Sequence, residues 1–255
     1  MRKGKSINQD NMKKGIYLLP NLFTTASMFS GFYAVIASMN GDFAPAAVAI
    51  MIACVLDGLD GKIARFTNTT SKFGTEYDSL SDLIAFGVAP AVLAYAWALS
   101  PYGRYGWLAA FLFVACGALR LARFNIQIGV INSKVFNGLP IPAAAVVVAT
   151  TVLFYYYLGG EGTFYNPALI VVMTVLALLM VSNVKYYSFK DLNFFSRKPF
   201  MTFVLIVCIL TVIVIEPQVM FFTFAVGYSI SGPGWTLYRL ARGRVEEKEY
   251  NHKNV

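Results

Sequence analysis

Charge is what this sequence has least of. Asp, Glu, Lys and Arg together make up 13% of its 255 residues, while 57% are hydrophobic; soluble globular domains carry about 25% charged residues. Too little polar surface is available to wrap a chain of this length in water, which excludes an ordinary soluble domain. Histidine occurs once, as His252 in a polar C-terminal stretch, so imidazole is set aside as a general acid or base. Cys54, Cys116 and Cys208 stand alone inside apolar runs. Without paired spacing they exclude a disulfide framework or a zinc site and read as buried thiols. Low-complexity tracts, long linkers and internal repeats are missing as well, which leaves one domain.

What the chain does have is apolar length. A membrane-crossing helix needs about 20 mostly apolar residues, and such runs recur near 18–39, 43–63, 79–99, 106–121, 140–158, 165–184, 200–215 and 218–240. The expected fold class is therefore all-α, a polytopic membrane helix bundle of about eight transmembrane helices. The first run follows a basic start, yet it exceeds the roughly 7 to 15 residues of a signal-peptide core and reads as a retained helix. Two elements, "NGLPIP" and "SGPGW", are expected to bend or break the helices they touch.

Basic residues orient the bundle. With the N-terminus inside, every one of the 21 Lys and Arg residues except Arg104 falls at or beyond the cytoplasmic ends of the spans, as the positive-inside rule demands. The net charge of +8 thus reports orientation and contact with anionic headgroups of the membrane lipids, not nucleic acid. The expected organisation is a cytoplasmic basic N-terminus over 1–15, a transmembrane domain over 16–240 and a cytoplasmic polar tail over 241–255. Both termini and the polar site below are expected on the cytoplasmic side of the cell membrane.

Four carboxylates interrupt the apolar pattern. The second run ends in "VLDGLDGKIARF", with Asp57 and Asp60 three apart, and the third begins "YDSLSDLIAFG", with Asp78 and Asp82 four apart. Both spacings place each pair on one helix face. At 1.5 Å per residue, counted from the outer ends of the two runs, the four lie about 21 to 32 Å deep, level with one another at the inner edge of a core about 30 Å thick. Carboxylates crowded there repel one another unless cations neutralise them. All-oxygen ligands favour Mg²⁺, Mn²⁺ or Ca²⁺, and four acids suffice for two ions about 3.5 to 4 Å apart, the arrangement of enzymes that displace groups at phosphorus. Gly58, Gly61 and Gly74 clear space beside the acids for a ligand, or equally for close helix packing. Arg65 and Lys62 suit a phosphate or simply flank the membrane.

Asp57, Gly58, Asp60, Gly61, Ala64, Arg65, Gly74, Asp78 and Asp82 together resemble the D-G-x-D-G-x-x-A-R-x8-G-x3-D-x3-D signature of the CDP-alcohol phosphotransferases, membrane enzymes that move a phosphatidyl-type group from a CDP-linked donor to an alcohol. "LPNLFT", "ALRLARFN" and "FNGLPIPAAA" are similar to the branch that uses serine, the CDP-diacylglycerol serine O-phosphatidyltransferases. The resemblance runs from about Leu19 to Ala145. It implies a six-helix core around a cytoplasm-facing chamber with two further C-terminal spans, a homodimer, and two divalent cations, Mg²⁺ or Mn²⁺. It implies that Asp57, Asp60 and Asp78 ligate the ions, with Asp82 as a shared ligand and the catalytic base, and that Gly61, Ala64, Arg65 and Gly74 border the cytidine diphosphate. The implied donor is CDP-diacylglycerol, or CDP-archaeol where the lipids are ethers, and the implied acceptor is L-serine.

Serine must be held by its carboxylate. Arg120 and Arg123, three apart at the inner end of the fourth run, and the nearby Asn125 are candidates; flanking charge at a membrane edge is the alternative. Asn21, in an i, i+3, i+4 set with Thr24 and Thr25, is a candidate nucleotide contact or else a helix cap after Pro20. Rival functions are a relative with a glycerol phosphate or inositol phosphate acceptor, a membrane prenyltransferase whose aspartate spacing differs, and a divalent-cation transporter, for which acids near mid-bilayer are expected.

Overall fold

The computed structural model describes the backbone of residues 4–66, 71–127, 135–187, 204, 207, 211 and 215–253, and the side chains of 20–63, 66, 71–126, 138–186, 204, 207, 211 and 215–236. Helices dominate: α1 (Gly4–Asn40), α2 (Phe43–Phe66), α3 (Lys72–Asp82), α4 (Ala89–Ala94), α5 (Gly103–Gln127), α6 (Ile141–Tyr157), α7 (Ala168–Val181) and α8 (Pro217–Lys253). The protein is a multi-pass membrane helix bundle, with long apolar stretches at Pro20–Asn40, Phe43–Ile63 and Lys72–Ile126 and shorter apolar helices at Ile141–Tyr157 and Ala168–Val181. The 55-residue stretch Lys72–Ile126 makes two passes. Gly103, at φ 52°, ψ −122°, adopts a backbone open mainly to glycine, and α5 folds back on the segments before it. Of the expected runs, 200–215 lies mostly outside the described residues.

Small residues set the packing. Gly31 of α1 meets α3–α4 so closely that a Cβ there would sit 2.5 Å from the Ala85 Cα. Ala34, Ala46, Ala47, Ala53, Ala85, Ala89 and Ala98 are fully buried, the small contacts by which membrane helices approach in the absence of a hydrophobic driving force. Ser27 and Ser30 donate across the α1–α2 seam to the carbonyls of Ala53 and Ala49, at 3.0 and 2.7 Å. Near the α4–α5 turn the packing turns aromatic. Buried Trp97 stands edge-on to Tyr155 at 5.4 Å and against Phe164 at 5.5 Å.

Three features depart from the expectations. Widened π turns at Leu83–Val88 and Tyr95–Leu99 flank α4; Pro90 lacks an N–H and its ring crowds the carbonyl of Phe86, which the wider turn relieves. The otherwise helical chain contains a two-stranded antiparallel ribbon, β1 (Val135–Asn137) with β2 (Lys185–Tyr187), Phe136 opposite Tyr186. It ties the segment before α6 to the segment after α7. Finally, "NGLPIP" does interrupt the helices, with Gly138 at φ 82°, whereas "SGPGW" does not: α8 runs unbroken through Pro233.

Candidate active site at the acidic end of the bundle

Asp57 and Asp60 fall on the last turns of α2, Asp78 and Asp82 on α3, and the two helices bring them together. One carboxylate oxygen each from Asp57, Asp60 and Asp78 lies within 4.8 Å of the others. Asp82 lies beside them, within hydrogen-bonding reach of the Asp57 carboxyl and electrostatic reach of Asp78. The four acids thus divide into a cluster of three and a fourth beside it. A π turn follows Asp82 directly. Asp60 is buried and accepts from the Thr24 hydroxyl at 2.7 Å, and Ser81 donates to the Thr24 carbonyl at 3.0 Å. Asp78 has a buried Oδ1 with no hydrogen-bond partner.

The other candidates separate by position. Arg120 lies within electrostatic reach of Asp82; its buried Nε has no hydrogen-bond partner among the described residues, and its guanidinium lies 5.9 Å from the Phe124 ring centre. Arg123 turns instead to the end of α7, donating to Asn183 Oδ1 at 2.7 Å and to the Val181 carbonyl at 3.4 Å. Asn125 donates to Ser79 at 3.0 Å and to Glu76 at 3.4 Å, joining α5 to α3. Asn21 lies inside α1, which runs straight through Pro20, so the cap alternative falls. A Cβ on Gly74 would meet the Asn21 Oδ1 at 3.6 Å and Ser71 Oγ at 3.1 Å, which places Asn21 against the start of α3. Thr25 of the same set is exposed and bonds Tyr77 at 2.9 Å. Gly58 opens onto free space, and Gly61 is exposed on the last turns of α2. Ala64 and Arg65 belong to the same helix, but their side chains lie outside the described residues.

A profile of the CDP-alcohol phosphatidyltransferase family matches residues 17–181, from within α1 to the last residue of α7. The chain belongs to that family. It is 41% identical over 202 residues to a CDP-diacylglycerol--serine O-phosphatidyltransferase of Helicobacter pylori (strain ATCC 700392 / 26695), covering 79% of this chain and 84% of the relative. It is 35% identical over 173 residues to the protein of the same name from Bacillus subtilis (strain 168), covering 68% and 91%. With the archaetidylserine synthase of Methanothermobacter thermautotrophicus (strain Delta H) it shares 38% identity over 170 residues, 66% and 69% of the two chains.

Within this phosphatidyltransferase the acid cluster fits a divalent ion. Oxygens bound across one ion of this kind stand about 4 to 5 Å apart, twice a metal–oxygen distance of 2.0 to 2.6 Å, and the three carboxylates already meet that span. The buried Oδ1 of Asp78 has no hydrogen-bond partner among the described residues, and such groups are costly to leave unsatisfied. Thr24, Ser81 and Tyr77 escaped the sequence reading as parts of the site. The i, i+3, i+4 set around Asn21 located Thr24 and Thr25 without showing which of them reaches an acid; Ser81 and Tyr77 carried no signal beyond their place in the acidic stretch.

Proposed function

We propose that the chain transfers a phosphatidyl-type group from CDP-diacylglycerol, or from CDP-archaeol in an ether-lipid membrane, to the hydroxyl of L-serine, giving phosphatidylserine or its ether analogue and CMP. The observation that carries this reading is the acidic site itself: three carboxylates gathered at one point, with a fourth, Asp82, beside Asp57 and within electrostatic reach of Arg120. The first set suits the diphosphate through Mg²⁺ or Mn²⁺, and the second suits an acceptor that carries both a hydroxyl and a carboxylate. Two ions bound by Asp57, Asp60, Asp78 and Asp82 supply charge neutralisation on the diphosphate and a better leaving group.

The remaining chemistry belongs to the side chains. Thr24 holds Asp60 in orientation by its 2.7 Å bond, and Asn21, Gly61, Ala64, Arg65 and Gly74 border the nucleotide. Arg120 takes the serine carboxylate, which sets the serine hydroxyl beside Asp82, since one short side chain separates the two groups. Asp82 accepts the hydroxyl proton as the new O–P bond forms and the bond to CMP breaks. Arg123 and Asn125, each with protein partners, brace α5 rather than bind serine. Attack by the serine hydroxyl is direct; Ser81, the protein serine beside the acids, is committed to the Thr24 carbonyl. The site and both termini face the cytoplasm, by the distribution of Lys and Arg, and the enzyme works as a homodimer in the cell membrane.

The test is the purified protein given CDP-diacylglycerol with labelled L-serine, glycerol 3-phosphate or inositol phosphate, with and without EDTA. CMP release with serine alone, abolished by EDTA and restored by Mg²⁺ or Mn²⁺, is the expected result. Release with glycerol 3-phosphate and not serine moves the chain to another acceptor. Cation flux into liposomes without CMP release would favour transport.

A further inference from the structure

Asp60 is aimed by the Thr24 hydroxyl at 2.7 Å, and Asp57 and Asp82 lie within hydrogen-bonding reach of each other. The buried Oδ1 of Asp78 has no such partner among the described residues, so its direction is set by the helix that carries it. An oxygen about 6 Å from a helix axis moves about 1 Å for every 10° that the helix rolls. A roll of that size is enough to spoil a Mg²⁺ site, whose bonds must lie near about 2.0 to 2.1 Å.

The contacts of α3 show what sets its roll. At about 100° per residue, Gly74, Tyr77 and Ser81 fall within about 60° of one another, and all three meet α1. A Cβ on Gly74 would lie 3.6 Å from Asn21 Oδ1, Tyr77 bonds Thr25 at 2.9 Å, and Ser81 donates to the Thr24 carbonyl at 3.0 Å. Glu76 and Ser79 meet Asn125 of α5, while Phe73 and Leu80, 70% and 61% exposed, stand on the remaining side. Asp78 and Asp82 occupy the arc between the α1 side and the α5 side. The bond from Tyr77 has a direction: Thr25 gives its own proton to the Asn21 carbonyl at 2.7 Å, so the Tyr77 hydroxyl donates. Its ring stacks on that of Phe73 at 5.9 Å. Tyr77 immediately precedes Asp78, and its bond lies one turn from that of Ser81; two bonds one turn apart fix a roll where one leaves a pivot. On the reading that the acids hold Mg²⁺ or Mn²⁺, we propose that Tyr77 is a positioning residue of the metal site: through Thr25 it locks the roll of α3 on α1 and so aims Asp78 at the point that it shares with Asp57 and Asp60.

The experiment follows Mn²⁺ binding to the purified full-length protein in detergent by electron paramagnetic resonance, with Mg²⁺ and Ca²⁺ as competitors and no substrate present. Tyr77→Phe keeps the ring and removes the hydroxyl. Its Mg²⁺ affinity is expected to fall about three- to tenfold, the range of one hydrogen bond, while that for Ca²⁺, which tolerates longer and less regular bonds, falls less than about twofold. Thr25→Val is expected to do the same, and the double variant no more than either single, since all three remove the same bond. In turnover, the Mg²⁺ needed for half-maximal rate is expected to rise by the same factor, with the serine KM changed less than about twofold. The melting temperature without metal is expected to hold. An unchanged Mg²⁺ affinity in Tyr77→Phe, equal losses for the two ions, additive losses in the double variant, or a loss accompanied by a lower melting temperature without metal overturns the role of Tyr77 while leaving the metal reading standing. A wild-type protein that binds no Mn²⁺ overturns both.

Discussion

The two ends of the bundle solve opposite problems. Around Trp97 the side chains are large, apolar and matched to one another, with Tyr155 and Phe164 filling the space at 5.4 and 5.5 Å. Around Asp57 they are small and charged, three carboxylates share one point, and Asp78 keeps a buried oxygen without a partner. The first arrangement is what stability alone selects. The second costs stability, because like charges at a low-dielectric edge repel, and on the proposed function it persists because the chemistry needs it. The largest effect that separates the two comes from Asp78→Asn, which removes a ligand and a charge. Turnover is expected to fall by about three orders of magnitude or more, in the range of lost charge stabilisation at a reacting centre. The melting temperature without added metal is expected to hold or rise. A substantial loss of stability instead would mean that the acids are structural, and the contrast between the ends would fail.

Trp97→Ala tests the other end. Deleting a large buried aromatic costs about 3 to 5 kcal/mol, read as a lower melting temperature in detergent, with serine and CDP-lipid KM values unchanged in the fraction that remains folded. Trp97→Phe is expected to cost far less, since the indole N–H is buried without a partner and its removal forfeits no bond.

The sequence made the acids and the apolar runs legible because each rests on local spacing: i, i+3 and i, i+4 pairs and run length. What depended on how helices meet was hidden. Arg120 and Arg123 share a face by spacing, yet three residues leave them about 60° apart around the axis. That angle is enough to send one toward Asp82 and the other to Asn183. The ribbon seats Tyr186 against Gly232 of α8, and no short window of sequence contains both. Thr24 was visible as polar in an apolar run, but its partner Asp60 is 36 residues away. Thr24→Val, nearly isosteric, is expected to lower kcat/KM about tenfold by freeing the Asp60 carboxylate, with the melting temperature shifted little. An unchanged kcat/KM would mean that the bond serves packing only.

The finest distinction between the ends uses two bonds of the same kind. Ser30 donates to the Ala49 carbonyl at 2.7 Å in the α1–α2 seam, and Ser81 donates to the Thr24 carbonyl at 3.0 Å beside the acids. Interhelical hydrogen bonds in membrane proteins average about 0.6 kcal/mol, so Ser30→Ala and Ser81→Ala are expected to lower stability by similar small amounts. Their kinetic effects are expected to differ. Ser30 touches only the seam, and its loss leaves both KM values and kcat where they were. Ser81 fixes the backbone of the residue whose hydroxyl orients Asp60, so its loss is expected to lower kcat about two- to threefold without raising the serine KM, the pattern of a weakened interaction made in the transition state. Equal kinetic behaviour in the two variants would mean that the position of Thr24 is set by α1 itself, through the bond from its hydroxyl to the Pro20 carbonyl at 3.1 Å, and that α3 contributes to the site through its carboxylates alone.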